Sequence, residues 1–106
     1  MTIEIKNIVG SSNAISQSDG HALYELLEKQ NPNDIVIDFK NIQFLSTAFL
    51  NASIGRLALR YTKEVMKNVK YLIPEERTVF QSKIDRVIEN AGLGDYYNQI
   101  VDEATS

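Results

Sequence analysis

The residues that could carry acid–base or metal chemistry are few in this chain of 106 residues, and they are scattered along it. There is no cysteine and a single histidine, His21, so the usual ligands of a zinc site are missing. Asp38 ends an apolar run, where α/β enzymes often place a functional carboxylate, but it more simply bonds the backbone of the following turn. The pairs Glu75–Glu76 and Asp102–Glu103 suit a helix start and a solvated chain end. We therefore predict no catalytic residue, no metal ligand and no cofactor.

Composition and patterning indicate one ordinary globular domain. Hydrophobic residues make up 43% of the chain and charged residues 24%, a balance that supports a packed core. The chain has no glycine-rich phosphate-binding loop and no apolar run near the roughly 20 residues that span a bilayer. The first residues alternate apolar and polar types, unlike a signal peptide. We expect a single domain over residues 1–106, not associated with a membrane and cytoplasmic by default.

Strands are expected to alternate with helices. Short apolar runs between turn signals predict strands at 2–9, 14–15, 35–39 and 69–73. Apolar residues at helical spacing predict helices at 19–30, 47–66 and 75–91. This order implies an α/β fold with a mostly parallel sheet of four or five strands, in which 35–39 is central. Residues 96–104 fit either a last strand or a helix.

The second predicted helix has an apolar inner face and an unusual outer face. The inner face is marked by Leu50, Ile54, Leu57, Ala58, Tyr61 and Val65. At about 100° per residue, four basic side chains fall within about 40° of one direction: Arg56, Arg60, Lys63 and Lys67. Phe49 and Ser53 extend this face toward the helix N-terminus. An exposed phenylalanine beside basic residues favours a partner-binding surface. The alternative is a solvated helix face with Phe49 tucked under a loop.

The segment 35–49 resembles the central signature of STAS domains, the fold of bacterial anti-sigma-factor antagonists. In that family a strand ending in Asp-Phe, here Asp38-Phe39, leads through a short loop to a serine or threonine at a helix N-terminus. A partner kinase phosphorylates that hydroxyl, which releases the antagonist from its anti-sigma partner. The segment 87–93 is similar to the family's C-terminal helix. A closer resemblance is to the STAS-like domain of unknown function, where a Ser-Phe pair stands in the place of Ala48-Phe49.

The resemblance implies a regulatory module without the usual switch. It puts the phosphoacceptor position at Ala48, which has no hydroxyl. Thr47 and Ser46 remain as phosphorylation candidates, although each is displaced from that position and is suited to capping the helix. The implied function is non-catalytic binding of a protein, for example an ATP-binding kinase-like anti-sigma factor. Binding would be constitutive or controlled by the nucleotide state of the partner.

We predict that the partner contacts the loop and the outer face of the second helix. The predicted contact residues are Ser46, Thr47, Ala48, Phe49, Ser53, Arg56, Arg60 and Lys63. One alternative is nucleic-acid binding through the basic face, which the small number of basic residues and the net charge of -3 oppose. Another is a small-molecule or nucleotide sensor, which only the fold supports. The sequence leaves the identity of the partner and the oligomeric state open.

Overall fold

The strands of the computed structural model, which describes residues 2–91, form two small sheets. The first sheet has the order β1-β3-β5, made of Thr2–Glu4, Val36–Asp38 and Lys70–Leu72. The second pairs β2 (Asn13–Ala14) with β4 (Phe44–Leu45). All pairings are parallel, which confirms an α/β fold with parallel sheets. The prediction of one sheet of four or five strands needs correction, because the five described strands are divided between two sheets.

Strand β3 is central in the first sheet, as predicted for 35–39. Its residue Ile37 pairs with Ile3 on one side and with Tyr71 on the other. Ile35, Ile37 and Phe39 are all buried. A strand between two parallel neighbours, with helices packed on the sheet, needs such a continuous apolar run.

Helices surround the two sheets. The α-helices are α1 (Ile5–Val9), α2 (Gln17–Leu27), α3 (Thr47–Leu50), α4 (Arg56–Arg60), α5 (Lys63–Met66) and α6, which covers the described residues 79–91. Short 3-10 turns occur at Pro32–Asp34 and Glu75–Arg77. A π-helical segment, Asn51–Gly55, joins α3 to α4, and the three pieces form one continuous central helix over residues 47–60. None of the described helices is both long enough and apolar enough to cross a membrane. The predicted element at 96–104 lies outside the described residues.

The predicted strand over residues 2–9 is wrong beyond Glu4. The chain turns into α1 at Ile5, and Gly10 ends this helix in the left-handed conformation, with φ at 72°. Gly10 is suited to that position because it has no β-carbon to clash. Ile5, Ile8 and Val9 have helical spacing, but all three are β-branched, and residue type favoured the strand.

The predicted helix over residues 47–66 is also too long, because the central helix ends at Arg60. Tyr61 is extended, with φ at −127° and ψ at 162°. The hydroxyl of Thr62 then accepts a hydrogen bond from the backbone N–H of Val65 at 3.2 Å and caps the separate helix α5. Because the threonine hydroxyl can accept a hydrogen bond from a nearby backbone N–H, it favours the start of a new helix at this point over continuation of the first one.

The core lies where the central helix packs with α2, α6 and the strands. Leu50, Ile54 and Leu57 of the central helix are fully buried, as their spacing predicts. Phe80 and Ile84 of α6 belong to the same cluster of buried residues. The predicted inner-face residues within the central helix are therefore confirmed, whereas Tyr61 and Val65 lie beyond its end.

Candidate functional site

Phe49 lies in the core, and its predicted exposure is wrong. Its side chain is 0% exposed. Ser53 is equally buried, and its hydroxyl donates a hydrogen bond to the carbonyl oxygen of Phe49 at 2.8 Å. Neither side chain lies on the surface of the described structure, so these two residues are removed from the predicted contact set.

Helix α2 covers the side of the central helix on which Phe49 lies. A β-carbon at Gly20 would lie 2.6 Å from the carbonyl oxygen of Phe49 and 2.7 Å from the β-carbon of Ala52, so only glycine permits this approach. The π segment adds a second reason for the error. Its wider turn changes the angle between residues before and after it, and a wheel of about 100° per residue does not allow for that change.

Arg56 and Arg60 are exposed, but both contact residues of α2. The guanidinium of Arg56 lies 4.7 Å from the ring centroid of Tyr24, and its Nη1 lies 3.2 Å from Nδ1 of His21. Arg60 donates a hydrogen bond to the Tyr24 hydroxyl at 3.4 Å, which raises the pKa of its guanidinium, and it lies 3.6 Å from Glu28. These two cations are therefore already used in packing α2 against the central helix.

The other two basic residues of the predicted face lie beyond the end of the central helix. Lys63 is exposed in α5, and Lys67 forms an ion pair with Glu64 at 3.3 Å. The prediction of four basic residues along one continuous helix is therefore wrong. Nucleic-acid binding, which depended on that arrangement, loses its main support.

The hydroxyl of Ser46 is engaged in two hydrogen bonds. It accepts one from the backbone N–H of Phe49 at 3.0 Å, as the N-cap of α3, and donates one to the carbonyl oxygen of Ile15 at 2.7 Å. The predicted capping role of Ser46 is confirmed. A phosphate on this oxygen would remove the hydroxyl hydrogen that is donated to the Ile15 carbonyl oxygen. It would also crowd the backbone N–H of Phe49, which the hydroxyl caps. Thr47 and Ala48, in contrast, are exposed in the first turn of α3.

Large apolar side chains remain exposed around this loop. Phe44 is 62% exposed and Ile15 is 50% exposed. Phe44 pairs with Asn13 on the face of the small sheet opposite to the buried Ala14 and Leu45, and Ile15 directly follows β2. Val79 of α6 is 55% exposed. We define the loop face as Ile15, Phe44, Thr47, Ala48 and Val79.

A groove of about 220 Å³ connects the start of the central helix with α6. Thr47 lines it together with residues of α6, namely Val79, Ser82, Lys83, Arg86, Val87 and Asn90. The Nζ of Lys83 donates a hydrogen bond to the carbonyl oxygen of Leu45 at 2.7 Å and so holds α6 beside β4. We name this feature the α6 groove. Sequence reasoning missed it because it assigned α6 only a role in the core.

Asp38 has the structural role that the sequence suggests. Its Oδ1 accepts a hydrogen bond from the backbone N–H of Lys40 at 2.9 Å. It thus stabilises the turn in which Asn41 adopts a φ of 64°. Within residues 2–91, no group of three or more histidine, aspartate or glutamate side chains is arranged to hold a metal ion.

A comparison with protein families identifies the family of the chain. The family model described as the STAS-like domain of unknown function (DUF4325) matches residues 19–72, about half of the chain. The match runs from α2 through the Ser46 loop and the central helix to β5. No curated protein and no solved structure matches the chain. The chain belongs to the family of STAS-like domains, which confirms the resemblance seen in its sequence.

Proposed function

We propose that this STAS-like domain is a non-catalytic regulatory module that binds a partner protein. The observation that supports the proposal is the loop face, where Ile15, Phe44 and Val79 are each half exposed or more. Side chains exposed to this degree contribute little to folding, and their clustering around one loop is typical of a contact surface. An aromatic anchor such as Phe44 is a common source of binding energy in protein interfaces.

The loop face replaces part of the contact surface expected from the sequence. Thr47 and Ala48 stay in the proposed surface because both are exposed, and Ser46 contributes by fixing the loop through its two hydrogen bonds. Phe44 takes over the role of aromatic anchor from the buried Phe49. Arg56, Arg60 and Lys63 stay as peripheral contacts, where charge changes association rates more than affinity.

The chemistry of the loop supports binding that does not depend on phosphorylation of the domain. Ala48 has no hydroxyl, and the hydroxyl of Ser46 is already engaged on both sides. Of the two phosphorylation candidates this leaves the exposed Thr47, which is displaced by one residue from the phosphoacceptor position. Regulation would then depend on the partner. By the resemblance to anti-sigma-factor antagonists, we propose an ATP-binding kinase-like regulator, whose nucleotide state would control the complex.

Affinity purification from an extract of the native host tests the proposal. The baits are the wild type, Phe44→Ser and Leu59→Ser, with retained proteins quantified by mass spectrometry. Leu59 is the matched control because it is 58% exposed, close to the value for Phe44, but lies in α4 near the other end of the central helix. A protein retained by the wild type and by Leu59→Ser but lost from Phe44→Ser would support the proposal. Equal retention by all three baits would contradict it.

A further inference from the structure

We propose that the α6 groove binds an acidic residue of the partner, carried on a short segment with apolar residues beside it. This inference rests on the proposed function and gives the chemistry of the partner at one part of the contact surface. The groove lies next to the loop face, since Thr47 and Val79 belong to both. A segment seated in the groove would therefore extend onto the exposed apolar side chains.

The charge of the groove argues for an acidic residue. Its lining includes Lys83 and Arg86 and no carboxylate from the described residues. Arg86 is exposed, and its side chain has no hydrogen bond or ion pair within residues 2–91. Its planar guanidinium matches a carboxylate through two parallel hydrogen bonds. Lys83 uses one ammonium hydrogen on the Leu45 carbonyl oxygen, which leaves others to share the same anion.

The net charge of the chain makes this groove distinctive. The chain as a whole carries -3, so its average field repels an acidic segment. The α6 groove has two cations and no carboxylate in its described lining, so an acidic segment would be held there. Attraction at the groove and repulsion elsewhere would together favour one binding position.

The size and walls of the groove argue for a peptide side chain as its occupant. Val79 and Val87 provide apolar wall, and about 220 Å³ is less than the roughly 300–1,000 Å³ of typical small-ligand pockets. This space is suited to one or two side chains. Phe44 and Ile15 then offer an apolar surface for the residues that flank the acidic one.

Selection from a random displayed-peptide library on the full chain tests the inference. We expect the enriched peptides to combine aspartate or glutamate with leucine, isoleucine, valine or phenylalanine. Affinity of the strongest peptide should fall about tenfold or more for Arg86→Glu and should weaken with added salt. Lys29→Glu is the control, because Lys29 is exposed and does not line the groove. Thermal unfolding of both variants checks that the fold is intact.

Several outcomes would overturn the inference. These are enrichment of peptides without acidic residues, equal binding by wild type and Arg86→Glu, or no enrichment at all. Each is distinguishable from failure of the proposed function, which is tested separately by the loss of the native partner from Phe44→Ser. If Phe44→Ser loses the partner while the peptides show no acidic preference, the proposed function stands and the groove assignment falls.

Discussion

Two phenylalanines on either side of the Ser46 loop have opposite surroundings. Phe49 is 0% exposed beneath α2, whereas Phe44 is 62% exposed on the face of the small sheet. The difference follows from the neighbouring elements, because Gly20 lets α2 approach the backbone of Phe49 closely. The comparison separates a residue that stabilises the fold from one that is available for binding.

Removing the ring of Phe49 should give the largest loss of stability. We expect Phe49→Ala to lower the free energy of unfolding by about 3–5 kcal/mol, the cost of truncating a fully buried aromatic side chain. Chemical denaturation measures this change. A loss below about 1 kcal/mol would mean that α2 does not cover this residue, and the comparison with Phe44 would fail.

A methyl group at position 20 should test the close helix contact directly. We expect Gly20→Ala to cost about 1–3 kcal/mol, because the added carbon would meet the backbone of Phe49, which cannot move independently of its helix. Gly55→Ala is the control. Its added carbon would lie 2.8 Å from Cγ1 of Val87, a side-chain atom, and 3.3 Å from the carbonyl oxygen of Leu50, so its backbone contact is longer than the one at Gly20. Equal costs at both positions would argue against the backbone contact.

Removing the hydroxyl of Ser46 should have a moderate effect on stability. Ser46→Ala deletes the N-cap of the central helix, and we expect a loss of about 1 kcal/mol. It also removes the donor to the Ile15 carbonyl oxygen, which should loosen the loop face. Thr47→Ala should stay within about 0.5 kcal/mol of wild type, because Thr47 is exposed. Thermal denaturation of the two variants compares them, and the reverse order would contradict the assigned cap.

Removing the hydroxyl of Tyr71 should change stability least at neutral pH, because a buried polar group without a hydrogen-bond partner does not stabilise the fold. This hydroxyl is buried with no hydrogen-bond partner in the described structure, so Tyr71→Phe should leave stability unchanged or slightly higher. Burial, with a contribution from the Asp85 carboxylate, raises the pKa of this hydroxyl in the folded state. Stability should therefore be retained below the pKa of about 10 that tyrosine has in the unfolded state, and it should fall as pH rises above that value. Tyr71→Phe should reduce this alkaline loss, and an unchanged pH profile would contradict the assignment.

The sequence predicted those parts of the fold in which a single periodicity is sustained. The strand at 35–39 and the buried position of Leu57 were predicted because apolar residues recur there without ambiguity. The segment that forms α1 was not, because the β-branched residues Ile5, Ile8 and Val9 favour a strand by type although their spacing is helical. Residue type and residue spacing therefore indicated different elements over this segment.

The candidate site was harder to predict than the fold. The burial of Phe49 depends on the approach of α2 and on the π segment. A helical wheel assumes a regular α-helix and shows no neighbouring element, so it could not predict this burial. The exposure of Phe44 depends on which elements leave the small sheet uncovered, and β4 is only two residues long. Site residues set by tertiary packing could not be read from spacing, whereas the capping role of Ser46 is local and could be.

The most direct test compares Phe44→Ser with wild type in folding and in binding to the partner identified by affinity purification. We predict an unfolding free energy within about 0.5 kcal/mol of wild type, since the side chain is largely exposed. We predict an affinity for the partner weaker by about 2 kcal/mol or more, as expected for an interface anchor. Full affinity in a folded Phe44→Ser variant would contradict the central claim that the loop face binds the partner, and a large loss of stability would show that Phe44 serves the fold.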